Sequence, residues 1–240
     1  MEKVEEYSLL SMHEQHSLGH WFSLPLDNMI TIIGVSSRMR TREAEIIAAK
    51  EDAAHKISIF YGIEGNIETT ISTGSNTMDF SHVPVTELTY DLEINKYIDN
   101  LLFDPELDVF LAGDAVFVRF KYPAQVQRLN YYPSISRRRP VWANNREMPS
   151  FENYYVAVGY AQNQRYLRTT YFRAVQNAVV QMINNLYSSL VILEVDNQGQ
   201  KAASTMHSVS TGKLNGFQVI EYWVDPQTKA VWSLAIARKD

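Results

Sequence analysis

His13, His16 and His20 are the one close cluster of histidines in this chain. On a helix running from Glu2 through Leu18 to His20, the three rings fall at roughly 0°, 300° and 340° around the axis, on a shared face. Neutral imidazole is a good ligand for zinc or copper. Against that, Gly19 ends helices more readily than it continues them. Three nitrogens without a visible fourth ligand do not specify a structural zinc site. The plain expectation is a surface or packed helix, with no metal and no cofactor assigned and a histidine metal site kept as an alternative.

Other reactive side chains lack partners of the right kind. Arg137-Arg138-Arg139, with Tyr131, Tyr132 and Trp142 nearby, could stack on or pair with an anion, but such a run between prolines reads as a solvated segment or a source of internal ion pairs. Asp104, Glu106, Asp108, Asp114, Glu194, Asp196 and Glu221 are scattered. Asp104-Pro-Glu-Leu-Asp108 lacks the glycine and the ligand spacing of a calcium loop, and Asp196-Asn-Gln-Gly199 reads as a turn. No G-x-S-x-G, G-x-x-x-x-G-K-[ST], H-E-x-x-H or G-x-G-x-x-G occurs. Ser72–Ser75 and Ser208–Gly212 read as polar turns. No catalytic residue is assigned, and the expectation is a protein that is not an enzyme.

Composition narrows the classes further. The 240 residues are 45% hydrophobic and 20% charged, with 14 Tyr, 10 Phe and 4 Trp, which is ample for a packed core and argues against overall disorder. A net charge of −5 disfavours non-specific nucleic-acid binding, which needs a basic field. With no cysteine, disulfides and thiolate sites within this chain are excluded. The longest apolar runs, Met29–Val35 and Leu190–Leu193, are too short to span a bilayer. MEKVEEYSLL carries no secretory signal pattern. Either the protein acts in the cytoplasm, or Met1 stands where a leader has been removed.

The elements that must position any site come in two similar sets. Asn28–Val35 precedes a polar stretch, Ser36–Glu43, and a helical pattern over Ala44–Tyr61. Asn153–Tyr160 precedes Ala161–Arg168 and a helical pattern over Thr169–Tyr187. At an offset of 125 residues Asn28 meets Asn153, Gly34 meets Gly159, Arg40 meets Arg165, Ala49 meets Ala174 and Ala53 meets Ala178. Each set reads as a strand ending at glycine, then a helix. Tyr171, Phe172, Val175, Ala178, Val179, Met182, Ile183 and Leu186 form an apolar stripe of helical period, and Ile46, Ile47, Ala53, Ala54, Ile57 and Tyr61 a similar one.

Strand patterns follow at Asn66–Ser72, Thr86–Ile94 and Val109–Tyr122, then at Leu190–Val195, Lys201–Ser210, Phe217–Val224 and Ala230–Arg238. In the third, Val116, Val118, Phe120 and Tyr122 alternate with Phe117, Arg119 and Lys121. Gly212 and Gly216 punctuate the later segments, and Asp225–Lys229 reads as a hairpin turn. Pro123, Pro133, Pro140 and Pro149 mark a linker crossing the surface. The expected organisation is an N-terminal helix over 1–22, a first α+β repeat over 23–123, a linker over 124–149 and a second repeat over 150–240. The fold class is α+β, two copies of a strand–helix–antiparallel-strands unit, each a long helix packed on an antiparallel sheet.

The strand reaching Gly34 or Gly159, the Arg-bearing turn, the helix with Ala44, Ala48, Ala49, Ala53 and Ala54, and the hairpin from Gln218-Val-Ile-Glu-Tyr-Trp-Val-Asp225 to Ala230–Arg238 resemble the lipoprotein-20 family of bacterial envelope proteins. The related N-terminal domain of flagellar assembly protein T is similar too. The resemblance covers about two-thirds of the chain. It implies a helix on an antiparallel sheet, a periplasmic or outer-membrane location through a lipid anchor, and a role in interaction or assembly. It supplies no catalytic residue. The chain departs from that pattern in having a second copy and neither leader nor anchoring cysteine.

The functional expectation is therefore a non-enzymatic cell-envelope or surface protein, a lipoprotein acting through a protein partner or self-association, without nucleic acid and without a transmembrane segment. The alternative is a small-molecule or metal-binding module. Its ligand would be held by His13, His16 and His20, or by a pocket between helix and sheet lined by Tyr155 and Trp223.

Overall fold

The computed structural model describes residues 29–73, 81–105, 108–112, 114–124, 126, 129, 131, 138–144, 147–195 and 204–239. The expected N-terminal helix over 1–22, with His13, His16 and His20, lies outside the described residues. The described elements run β1 (Met29–Ser37), α1 (Arg42–Tyr61), β2 (Ile63–Thr73), β3 (Ser81–Tyr90), α2 (Asn95–Ile98), β4 (Val109–Ala112), β5 (Ala115–Pro123) and a 3-10 turn (Val141–Asn144). They continue with β6 (Tyr154–Ala161), α3 (Leu167–Tyr187), β7 (Ser188–Val195), β8 (Ser204–Leu214), β9 (Gln218–Val224) and β10 (Val231–Arg238). The fold is mixed α and β, compatible with an α+β class, with three sheets in the orders β1-β5-β4, β6-β10-β9 and β3-β2-β8-β7. Every described pairing is antiparallel.

Local chemistry explains the helix boundaries. Thr41 takes the N-cap of α1 and its hydroxyl accepts from Ala44 N–H at 3.2 Å, satisfying one orphan donor of the first turn. Glu45, almost fully buried, accepts from Arg38 Nε and from Met39 N–H, both at 2.9 Å, and so fixes the loop that leads into the helix. At the start of α3, Asp114 from the β4–β5 turn accepts from Leu167 N–H at 3.4 Å, where a carboxylate suits the positive end of the helix.

Both strand-ending glycines sit inside strands instead. β1 runs on to Ser37 and β6 to Ala161. The glycines mark where a helix backbone crosses a strand: a Cβ on Gly34 would lie 2.0 Å from Ala49 O, and one on Gly159 1.9 Å from Ala174 O. Gly212 is likewise no turn, and Ser208–Gly212 lies within β8. The Tyr187 ring rests there, 2.1 Å from where a Cβ would stand. The single strand expected over Val109–Tyr122 is the hairpin β4–β5, and Leu92 and Ile94, expected in a strand, follow the end of β3 at Tyr90.

The stripe of α1 also shifts. Ile47 is 52% exposed and Tyr61 51%, while the buried face carries Ala48, Ala49, Asp52, Ala53, Ile57 and Phe60. A carboxylate, Asp52, stands on that face among the alanines. This face packs on Ile30, Ile32, Val116, Val118, Phe120 and Tyr122. The opposite face of the same sheet sends Ile33, Val35, Ala115 and Phe117 into a second core with α3, where Tyr171 meets Phe117 edge-on at 5.0 Å and Tyr222 at 4.9 Å.

Helix α3 thus lies between the β1 sheet and the β6 sheet, and it also packs on β2 and β8 through Met182 and Ile183. The outer face of the β6 sheet is covered in turn by residues from the Pro- and Arg-containing segment. Leu129, Tyr131, Trp142 and Ala143 pack there with Phe151, Val158, Trp223, Trp232 and Leu234. Trp142 is only 5% exposed, because an indole of that area gains more by lying on the sheet than on the surface.

Candidate functional site

Among the described residues β1 and β6 are both edges of their sheets. An edge strand presents a row of backbone N–H and C=O groups to whatever lies beside it. At β1 that row is met by α1. Asp52 Oδ2 accepts the Val35 N–H at 2.8 Å, and Lys56 Nζ donates to Ile33 O at 2.6 Å. The two side chains are joined at 2.7 Å as an i,i+4 ion pair. Together they occupy the place of a neighbouring strand, which is why a carboxylate faces inward on α1. Narrow clefts of about 390 and 380 Å³, counted to open solvent, flank Lys56, the first between β1 and β9 and the second between α1 and α3. Burial and the nearby Asp52 charge hold the Tyr90 hydroxyl above its ordinary value, and do so more strongly for Tyr222.

At β6 the same position is built differently. Asn177 of α3 donates its side-chain amide to Tyr160 O at 2.6 Å. Gln181, one turn on, donates instead along its own helix to Asn185 Oδ1 at 3.0 Å. Beside this edge lies a groove of about 1390 Å³, counted to open solvent, lined by Arg139, Ala143, Asn144, Val158, Tyr160, Asn177, Gln181 and Trp232. One wall is α3 and the other is the turn around residues 139–144, and the groove meets the edge strand at Val158 and Tyr160, with Trp232 of β10 behind them.

Its chemistry is aromatic and amide, with one cation. Tyr160, 42% exposed, tilts against Trp232 at 4.7 Å, and Trp232 against Trp223 at 5.0 Å. The Arg139 guanidinium lies 4.5 Å over the Trp232 ring, and its Nη2 donates to Ala143 O at 2.6 Å. Among the described residues no carboxylate lines this groove. The turn that forms its wall is tied from beneath, since buried Glu221 accepts from Trp142 Nε1 at 3.1 Å and from the Tyr131 hydroxyl. Burial, then the Glu221 charge, pushes that hydroxyl far up.

Of the residues singled out in the sequence, Arg139 reaches the groove, Arg138 is exposed, and Arg137 lies outside the described residues. Glu106 and Asp196 also lie outside the described residues, as does the side chain of Glu194. Asp108 is buried in a structural role: it accepts from Arg119 Nε at 2.5 Å and from Asp104 N–H at 2.8 Å, closing its own loop. The structure separates Tyr155 from Trp223. Tyr155 packs on the core shared with α3, whereas Trp223 lies in the core on the opposite face. Strand alternation accounts for it, since the Trp-bearing face of β6 carries Tyr154, Val156 and Val158.

Asn177, Gln181, Val158, Tyr160 and Trp232 escaped sequence reasoning because neutral amides and core-like aromatics carry no chemical signature. The 125-residue offset was the available signal: it sets Asn177 on Asp52, Gln181 on Lys56, Val158 on Ile33 and Tyr160 on Val35. Among the described residues no group of three His, Asp or Glu stands close enough to hold a metal, and no described helix is long and apolar enough to cross a membrane. Comparison with protein-family models, curated proteins and solved structures finds no match.

Proposed function

We propose that this chain is a non-enzymatic interaction protein of the bacterial cell envelope, internally duplicated, in which one copy serves as scaffold and the other recognises a partner. The observation that carries the reading is the difference between the two strand edges. Asp52 and Asn177 stand at the same offset and each bonds the backbone of the matching strand residue, Val35 or Tyr160. Beyond that shared step, Lys56 closes the first edge while Gln181 leaves the second. The matching contacts of Gly34 with Ala49 and of Gly159 with Ala174 favour a common origin for residues 23–123 and 150–240. An aromatic, amide-rich groove with a single cation suits recognition, where orientation is set by a few polar groups on an apolar wall.

The envelope location rests on the resemblance to the lipoprotein-20 family. Intact mass of the mature protein from membrane and soluble fractions of its native cells tests it. An acylated cysteine ahead of Glu2 in the membrane fraction is the expected result. An unmodified protein confined to the soluble fraction and turning over a defined metabolite would sink the reading.

A further inference from the structure

We propose that the outer edge of β6 is a strand-docking site for an extended, carboxylate-bearing segment of a partner protein. In an antiparallel ladder, backbone groups of alternate residues point to opposite sides of the strand. Tyr160 O points away from β10, toward Asn177. Val158, two residues back, therefore turns its N–H and C=O groups to the same outer side. That side is the groove, where Val158 and Tyr160 form the floor and α3 and the 139–144 turn form the walls. A slot with a strand edge at its base and walls on both flanks fits an extended backbone, which adds to such an edge through main-chain hydrogen bonds.

The first copy shows what occupies this place when it is filled from within: Asp52 and Lys56 bond Val35 N–H and Ile33 O, standing in for a strand. At β6 only Tyr160 O is so held by α3, and Gln181 is committed to Asn185. Charge selects the occupant. Among the described residues Arg139 is the one charged residue of the lining; Asp225, the carboxylate that shares its field, lies outside the lining and is held by its own turn at Gln227 and Thr228. The Arg139 guanidinium has five N–H donors, and a carboxylate is the group that fork matches best. Tyr160 beside it offers an exposed ring for an apolar side chain of the same segment.

The proposal rests on the reading of this chain as an interaction protein but not on its location, so a failed fractionation result and a failed docking result are separate outcomes. The probe is a set of fluorescein-labelled ten-residue peptides of alternating Val and Thr carrying one Asp, Asn or Lys, titrated by fluorescence polarisation against the full chain. The Asp peptides are expected to bind best. Methylating alternate backbone nitrogens of the best binder is expected to weaken it about tenfold, by removing its main-chain donors. Arg139→Gln is expected to cost about fivefold and to erase the preference for Asp over Asn. Val158→Pro removes the outward N–H at an edge where proline is tolerated, and is expected to abolish binding in a chain that still folds, its Tm lowered by the packing Val158 loses. Equal binding of the methylated peptide, or no saturable binding by any of the set, overturns the proposal. So does a dimer in sedimentation that Val158→Pro dissociates, because a second copy would then be the occupant.

Discussion

The Asp52 carboxylate, on the buried face of α1, accepts the backbone N–H of Val35 at 2.8 Å and thereby treats an edge strand as an adjoining strand would. Lys56 completes the arrangement at Ile33 O. Removing one member leaves the other charge in a poorly solvated place, which costs about 3–5 kcal/mol where burial is complete. Asp52→Ala is expected near the lower end of that range, since Lys56 keeps some solvent contact. The pair Asp52→Asn with Lys56→Gln, which copies the residues of the second half, is expected to be more stable than Asp52→Ala alone. Urea denaturation of the wild type and the variants checks the order.

Gly34 and Gly159 are expected to reject a methyl group. With helix carbonyl oxygens 2.0 and 1.9 Å from the ideal Cβ positions, Gly34→Ala and Gly159→Ala are each expected to destabilise by about 3 kcal/mol, the upper part of the overpacking range. Gly62→Ala, whose Cβ would meet nothing closer than 3.5 Å, is expected to stay within about 0.5 kcal/mol of the wild type. Equal losses at all three positions would show that close helix approach is not what the first two glycines serve.

Tyr131→Phe is expected to loosen the segment that walls the groove. The change deletes a hydrogen bond to the buried Glu221 carboxylate, worth about 1.5–3 kcal/mol for a charged acceptor. Limited trypsin digestion is the direct readout, with cleavage at Arg138 and Arg139 accelerating more than cleavage elsewhere. Unchanged cleavage at those two arginines would show that Glu221 does not hold the segment down.

Asp225 supplies a pH signature. Its carboxylate accepts from Thr228 N–H at 3.1 Å and Gln227 N–H at 2.8 Å, and these bonds, Thr228 first, hold its pKa below the usual 3.8. A pKa depressed by folding adds stability that is present above the unfolded value and lost as pH falls through the folded one. The deficit of Asp225→Ala is therefore expected to be largest at neutral pH and to shrink toward about pH 3. Urea curves at the two pH values check this, and a deficit independent of pH would refute it.

Both long helices were legible because their cores are local patterns: the spans expected at Ala44–Tyr61 and Thr169–Tyr187 are found at Arg42–Tyr61 and Leu167–Tyr187. The alternation of Val116, Val118 and Phe120 with Phe117 was readable for the same reason, one face meeting α1 and the other α3. Partnership between distant strands was not. Nothing near Ile63 or Leu214 announces that they pair, since strand choice is decided by packing across the whole molecule. Asp52 misled the stripe on α1, because a carboxylate reads as surface until the strand edge it serves is in view. Asn177 and Gln181 were hidden for the opposite reason, being polar residues on a helix where solvent was the natural partner.

The sheet β3-β2-β8-β7 takes its two central strands from opposite ends of the chain, Thr73 pairing with Ser204 and Ile63 with Leu214. On the ribosome, then, Thr73 emerges roughly 130 residues ahead of its partner, a delay on the order of ten seconds. For that interval β2 is a strand with one side unclaimed, in a crowded cell. The nascent hairpin β2–β3 thus meets its surroundings with an open edge until β8 is made.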